Sequence, residues 1–107
     1  MTRHHRPYLL LALLAVGACS SVTPHENFVN GLHDAIGTSV DIEPKLSLCS
    51  RMRNTESRAL QNGNIEDRQI MHRGNRECVY YCEVDPKTRL VVNTRFEGSQ
   101  DDCAMPP

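Results

Sequence analysis

The sequence predicts an α+β fold, in which one or two N-terminal helices pack on a three-stranded antiparallel sheet. Two disulfides are expected to stabilise it. Residues 24–36 carry apolar side chains at helical spacing, whereas the chain from residue 65 onward alternates with the period of strands between turn residues. Five cysteines occur in only 107 residues. A chain of this length forms one small domain that disulfides can stabilise.

Composition and motifs argue against several functional classes. The net charge is −1, and basic and acidic residues are interspersed, which does not suit a nucleic-acid surface built on a basic stripe. The glycine-rich phosphate loop, the H-E-x-x-H motif and the G-x-S-x-G motif do not occur in the sequence. We therefore expect a non-enzymatic protein without a cofactor.

The N-terminus has the pattern of a secretory signal. Residues 1–8 contain two arginines and no acid, and Leu9–Val16 is an apolar run of eight residues, too short for the roughly 20 that cross a bilayer. The next residues, Val16-Gly17-Ala18-Cys19, resemble the bacterial lipobox, in which small residues precede a cysteine that receives lipid. The sequence thus predicts a lipoprotein signal peptide over 1–18 and lipidation of Cys19.

The lipobox resemblance implies a location. In lipoproteins of this type the mature N-terminal cysteine carries a diacylglycerol and an amide-linked acyl chain, and more than one chain gives a stable anchor. Ser20 follows Cys19 where enterobacterial inner-membrane lipoproteins carry Asp, so the resemblance favours the outer membrane. Residues 19–24 form a short tether and residues 25–107 a single periplasmic-type domain. The 89 residues left after cleavage carry a net charge of −3, because two arginines are removed with residues 1–18.

The first element of the domain is a helix over 24–36. Thr23 is suited to the N-cap, Pro24 to the first helical position and Glu26 to the third. Gly37 stands where a left-handed residue ends a helix. The predicted buried stripe consists of Phe28, Leu32, Ala35 and Ile36.

The middle of the chain gives weaker signals. Pro44 prevents a continuous helix over 38–50, so an extended or irregular connection is expected. Arg51–Gln61 is polar, and a short helix or a turn is compatible with it. The run Asn62-Gly63-Asn64 predicts a turn.

Two strands, Ile65–Arg73 and Glu77–Val84, are predicted on either side of a tight Gly74-Asn75 turn. Pro86 cannot enter a primed two-residue turn, so a longer loop over 85–89 leads to the third strand. This loop length pairs Val84 with Leu90, Cys82 with Val92, Tyr80 with Thr94 and Cys78 with Phe96. Because side chains alternate along strands, this set shares one face, and Leu90, Val92 and Phe96 mark that face as the core.

The four cysteines other than Cys19 allow three pairings. Cys78 and Cys82 on one strand stand roughly 13 Å apart, whereas a disulfide needs Cα atoms within about 7 Å. Cys103 follows Phe96, which faces Cys78, so the sequence predicts the disulfide Cys78–Cys103 and, for the remaining pair, Cys49–Cys82. The spacing of Cys78 and Cys82 does not suit a zinc knuckle, so no metal site is expected.

The histidines are assigned to the surface, and the acidic pairs are not assigned to a ligand site. The histidines His25, His33 and His72 have no nucleophile at a meaningful spacing, and the acidic pairs Glu66-Asp67 and Asp101-Asp102 lack the pattern of a calcium loop. Two regions supply more apolar area or charge than folding requires, and they are the predicted partner surface. One is the sheet face with Tyr81 and Val79, to which Ile70 is expected to add; this face is either covered by the N-terminal helix, with Tyr81 in the core, or free to bind a partner. The other is the charged segment with Arg51, Arg53 and Arg58.

The second half of the chain carries a family resemblance. The run from Asn62 through Cys78, Glu83-Val84-Asp85-Pro86 and Arg95-Phe96-Glu97-Gly98-Ser99 to Asp102-Cys103 resembles a group of small, largely uncharacterised proteobacterial lipoproteins. In outline that group is similar to the SmpA/OmlA-type barrel-assembly accessory lipoproteins, which have helices followed by a three-stranded antiparallel sheet. The resemblance implies no catalytic or ligand-binding residue.

Together these observations predict an outer-membrane lipoprotein that acts as a non-enzymatic binding or assembly module in the cell envelope. Its expected partners are the membrane, through the lipid on Cys19, and an envelope protein. The alternative is a periplasmic inhibitor or stress-protection lipoprotein, comparable to the small disulfide-bonded lysozyme inhibitors. Those inhibitors insert an exposed loop into the enzyme cleft, and the sequence contains no diagnostic loop.

Lipidation can be checked directly. Replacing Cys19 with Ala removes the thiol that accepts the lipid, so the variant should carry no acyl chains and its processing should be blocked. It should leave the membrane fraction after any alternative cleavage of the signal peptide. Intact-mass spectrometry and membrane fractionation measure both effects. Unchanged mass and unchanged fractionation would contradict the predicted lipid anchor.

Overall fold

The computed structural model describes residues 21–41, 47–52 and 55–106. They contain one helix, α1 (Pro24–Ala35), and four strands, β1 (Glu56–Ala59), β2 (Ile65–Arg73), β3 (Arg76–Val84) and β4 (Val91–Glu97). The strands form one antiparallel sheet in the order β1-β2-β3-β4. The α+β class and the two disulfides agree with the sequence-based expectation, but the sheet has four strands rather than three. The predicted signal peptide and Cys19 lie outside the described residues.

Helix α1 forms as its sequence predicts. The Thr23 hydroxyl accepts the Glu26 backbone N–H at 3.1 Å, with Pro24 in the first turn. Phe28, Leu32 and Ala35 are buried, whereas Ile36 follows the last helical residue and is 40% exposed. The prediction of Ile36 as core was therefore wrong, because the chain leaves the helical path one residue earlier. Within the described residues, no helix is both long and apolar enough to cross a bilayer.

A glycine inside α1 has a packing reason. A Cβ placed on Gly31 would come within 3.1 Å of both Leu48 Cδ1 and Met105 Cε. Gly31 therefore lets the segment around Leu48 and the C-terminal segment approach the helix closely. The loss of helix propensity, up to about 1 kcal/mol, accompanies this close approach.

Helix α1 covers one face of the sheet, which we call the inner face. The Phe28 ring meets Tyr80 and Phe96 edge-on, with ring centroids 5.8 and 5.6 Å apart. Tyr80 donates its hydroxyl hydrogen to the Leu48 carbonyl oxygen at 2.7 Å, and burial raises the pKa of this tyrosine to about 12. An apolar layer between α1 and the sheet thus forms the core of the domain.

Strand β1 lies within Arg51–Gln61, where the sequence indicated a short helix or a turn. All four of its residues are exposed, and the run Glu-Ser-Arg-Ala has no alternation of apolar and polar side chains that would predict a strand. The strand pairs with β2 around the turn at 60–64, where Leu60 N–H bonds to the Asn64 carbonyl at 2.8 Å. Cross-strand contacts, rather than apolar periodicity, therefore define this strand.

The hairpin of β2 and β3 matches the prediction, including Ile70 opposite Val79 and the Gly74-Asn75 turn. The pairing of β3 with β4 differs from the prediction. Val84 of β3 lies opposite Val91 of β4, Cys82 opposite Thr94 and Tyr80 opposite Phe96, and the register shifts between Glu83 and Val84.

The pairing of β4 differs from the prediction because the start of β4 also forms backbone hydrogen bonds to the segment after α1. Val91 donates its N–H to the Thr38 carbonyl at 2.9 Å and accepts the Gly37 N–H at 2.8 Å. The resulting bulge brings Val91 into the core, whereas Leu90 and Val92 are 38% and 43% exposed. Leu90 and Val92 were thus wrongly predicted as core, whereas Phe96 packs against it.

The two disulfides join the pairs expected from the sequence. Cys49–Cys82 has its Cα atoms 5.8 Å apart and Cys78–Cys103 has them 4.9 Å apart. All four cysteines are buried. Although Phe96 faces Tyr80 instead of Cys78, a turn in which the Cys103 N–H bonds to the Ser99 carbonyl at 2.9 Å returns the tail to β3.

Removing the Cys49–Cys82 disulfide should lower the free energy of unfolding by about 3–4 kcal/mol, because the bond closes a long loop in the unfolded chain. The double variant Cys49→Ala, Cys82→Ala can be compared with the wild type by urea denaturation. Non-reducing peptide mapping of the wild type should recover both disulfide-linked peptide pairs. A Cys78–Cys82 link, or an unchanged midpoint in the variant, would contradict this assignment.

Candidate functional site

The side of the sheet turned away from α1 is the candidate binding surface, and we call it the outer face. Strand alternation places on it Glu56 and Arg58 from β1, Glu66, Arg68, Ile70 and His72 from β2, Glu77, Val79, Tyr81 and Glu83 from β3, and Asn93, Arg95 and Glu97 from β4. No helix or strand of the described residues lies over this face. Antiparallel sheets commonly leave one face to solvent in this way.

Glu66 organises the charges of the outer face. Glu66 is only 8% exposed, and its Oε1 atom lies 2.9 Å from Arg58 Nη2 and 3.2 Å from Arg95 Nη2. Two guanidinium groups from strands on opposite sides of β2 and β3 thus converge on one carboxylate. Hydrogen bonds between charged groups are shorter and stronger than neutral ones, so this cluster holds β1 and β4 in a common surface.

Tyr81 lies beneath one of these arginines. The Cζ atom of Arg95 is 3.7 Å from the Tyr81 ring centroid, which is cation–π geometry. Arg95 also bonds to Glu97, at 3.2 Å. Desolvation works against the charge on Arg95, but the hydrogen bonds to Glu66 and Glu97 outweigh it and raise the pKa of the guanidinium.

These side chains line a shallow groove. Its volume is about 390 Å³, and it is lined by Glu56, Ser57, Arg58, Glu66, Arg68, Tyr81, Arg95 and Glu97. Three arginines and three glutamates stand around one aromatic ring. Such a surface offers hydrogen-bond donors and acceptors of both charges, which suits another protein surface of mixed charge better than a simple anion or cation.

The structure divides the predicted partner surface between the two faces. Tyr81 and Val79 are both partly exposed on the outer face, together with Arg58 and with Ile70, which is 40% exposed. Tyr81 is therefore not a core residue beneath α1, which was the alternative to a binding role. Arg51 contacts the inner-face side chain of Asp67, and Arg53 lies outside the described residues.

Arg51 has a structural contact that its position in a charged segment did not reveal. Its Nε and Nη2 atoms bond to the two carboxylate oxygens of Asp67 at 2.8 and 3.2 Å. Asp67 is fully buried and also accepts the Ser57 hydroxyl hydrogen at 2.6 Å. Arg51 thus neutralises a buried carboxylate and joins the segment at 47–52 to the sheet.

The adjacent acids Glu66 and Asp67 have different partners because strand alternation directs them to opposite faces. The histidines are likewise separated: His25 Nδ1 lies 2.7 Å from the Cys103 carbonyl oxygen, while His33 and His72 are exposed. The described residues bring no three His, Cys, Asp or Glu side chains together in an arrangement that could hold a metal ion.

Sequence reasoning missed Arg95 and the role of Glu66. A signal for Arg95 was present, because Asn93, Arg95 and Glu97 alternate with Thr94 and Phe96 in β4, which predicts one polar face on that strand. In β2 the charged Asp67 stands between Glu66 and Arg68, so the sequence shows no such alternation there. The contact between Glu66 and Arg95 depends on the pairing register, which the sequence did not predict correctly.

Comparison with known proteins adds no assignment: the chain matches no protein-family model, no curated protein and no solved structure.

The pairing of Arg51 with the buried Asp67 predicts that two arginines contribute unequally to stability. Arg51→Ala should lower the free energy of unfolding by about 3 kcal/mol, because among the described residues it leaves the buried Asp67 side chain with the Ser57 hydroxyl alone as a partner. Arg58→Ala is the matched control and should cost about 1 kcal/mol or less, since the Arg58 side chain is largely exposed and Glu66 keeps Arg95. Urea denaturation measures both values, and equal losses for the two variants would contradict the assignment.

Proposed function

We propose that the protein is a lipid-anchored, non-enzymatic binding or assembly module of the outer membrane and that the outer face binds an envelope protein of mixed surface charge. One observation carries the proposal: the groove on the outer face combines a partly exposed aromatic ring with charged groups of both signs, and no described element covers it. Tyrosine and arginine are, with tryptophan, the residue types enriched at the energetic centres of protein interfaces.

The side chains of the outer face are already held in position before a partner binds. Arg95 is fixed by its stacking on Tyr81 and by its bonds to Glu66 and Glu97. Ordering a long side chain during binding costs free energy, so arginines that are held in place beforehand reduce that cost. Ile70 and Val79 add apolar area beside the groove, which provides the water-excluding contact that a protein partner requires.

The lipid anchor gives the proposal its cellular setting. The lipobox resemblance at Val16–Cys19 supports attachment to the outer membrane, and two buried disulfides suit an oxidising compartment. A tether of a few residues would keep the domain near the bilayer surface, where envelope proteins are available as partners.

Replacing Tyr81 with Ala should weaken partner capture about tenfold, because loss of an aromatic anchor at an interface costs more than about 1 kcal/mol. Tyr81→Phe is the matched control, since it keeps the ring beneath Arg95, and it should retain capture. The measurement is affinity capture of the tagged full-length protein from detergent-solubilised envelopes, with quantitative mass spectrometry of the captured proteins.

Thermal unfolding of the same variants separates binding from folding. Unchanged melting temperatures together with unchanged partners for Tyr81→Ala would refute the proposed binding surface. Capture of barrel-assembly components supports an assembly role. Capture of lysozyme, with inhibition of purified lysozyme, would replace that role with the inhibitor function.

A further inference from the structure

The outer edge of the sheet is strand β1. An edge strand offers unpaired N–H and C=O groups, which proteins commonly protect by keeping the strand short or by charged side chains, proline, a bulge or a covering element. Glu56–Ala59 is short and charged, but its two charges are of opposite sign, it contains no proline, and it pairs with β2 without a bulge. In the described part of the chain no further strand follows β1 in the sheet, and all four of its residues are exposed.

We infer that β1 pairs antiparallel with β1 of a second copy of this chain, with Ser57 on the two-fold axis. Two outer-face residues, Glu56 and Arg58, lie on either side of Ser57. In that register Glu56 of each copy stands directly opposite Arg58 of the other. Residues directly opposite each other in an antiparallel pair have neighbouring side chains on the same face, so two opposite-charge pairs form.

The other registers lack this complementarity. Shifting the axis to Glu56 would place two carboxylates opposite each other, and shifting it to Arg58 would place two guanidinium groups opposite each other; both arrangements are unfavourable. A shift by a half-step would set Glu56 against Ala59 and Ser57 against Arg58, without any charge pair. The strand therefore carries a charge pattern that selects one self-pairing register, as a two-fold symmetric interface requires.

The neighbouring strands extend the pattern. Within one copy, Arg68 lies 3.9 Å from Glu56, and Glu66 lies 2.9 Å from Arg58. Across the axis the row would read Arg68, Glu56, then Arg58 and Glu66 of the second copy, with alternating sign throughout. The side chain of Glu56 is 75% exposed and that of Arg58 is 69% exposed, so both remain accessible to a partner.

A four-residue edge makes a small interface, so the dimer is expected to be weak in dilute solution and favoured where copies are concentrated on one surface. The predicted lipid anchor would supply that concentration. Pairing would form a continuous eight-stranded sheet in which both outer faces lie on the same side. The inference goes beyond the proposed function, since self-pairing uses the backbone edge of β1, although the side chains of Glu56 and Arg58 also line the groove beside Tyr81.

The test uses two copies of the full-length protein with different C-terminal epitope tags, co-expressed, cross-linked in intact membranes and then extracted in mild detergent. Capture through one tag should recover the other for the wild type. With Glu56→Arg in both copies, or Arg58→Glu in both, recovery should fall about tenfold or more, because like charges then face each other twice. Glu56→Arg in one copy combined with Arg58→Glu in the other restores opposite charges and should restore recovery.

The control pair is Asp101→Arg with Lys87→Glu, which makes the same charge changes at exposed positions away from β1. It should behave like the wild type. If thermal unfolding shows that Arg58→Glu is unstable, the Glu56→Arg variant alone still tests the dimer. Recovery should then be highest when both copies are wild type, lower when one copy carries Glu56→Arg, and lowest when both copies carry it.

Absence of wild-type recovery would overturn the inference, and it is the result expected if the edge instead takes an extended segment of another protein. Equal recovery for the like-charged pairs, or no restoration in a folded mixed pair, would overturn it as well. None of these outcomes bears on capture by the Tyr81 variants, so failure of the dimer and failure of the proposed function are distinguishable.

Discussion

Both disulfides begin on the inner face of β3, and much of the domain depends on that strand. Cys82 holds the segment at 47–52 and Cys78 holds the C-terminal turn, so two irregular parts of the chain are tied to one regular element. Between the two cysteines, Tyr80 packs against Phe28 of α1 and bonds to the Leu48 carbonyl. Alternate residues of a single strand thus connect the helix, a loop and the tail, which compensates for the limited core that so short a chain can bury.

The opposite face of the same strand has a different composition for a physical reason. Successive side chains point to opposite sides of a sheet. Cys78, Tyr80 and Cys82 lie on the inner face, so the residues between them, Val79 and Tyr81, lie on the outer face. Tyr81 is held there by Arg95, and Arg95 by Glu66 from β2. The outer face is therefore ordered by charge and stacking, whereas the inner face is ordered by disulfides and apolar contact.

The neighbouring acids of β2 illustrate how the two faces use the same chemistry for different ends. Asp67 is fully buried and paired with Arg51, so it links the segment at 47–52 to the sheet. Glu66 is nearly buried but bonds to arginines that remain accessible on the outer face. A carboxylate whose arginine partners are exposed can take part in an interface through them, whereas a fully buried carboxylate mainly constrains the fold.

Local patterns were sufficient to predict the Thr23-capped helix, the Gly74-Asn75 hairpin and the cysteines on one side of β3, because caps, turn residues and alternation act over a few residues. The fourth strand and the pairing of β4 depend instead on contacts between distant parts of the chain. Strand β1 has no apolar alternation and depends on contacts with β2, and the bulge that buries Val91 arises from hydrogen bonds to the segment after α1. The outer-face cluster followed from that register, since Glu66 and Arg95 are 29 residues apart and meet only when the strands align.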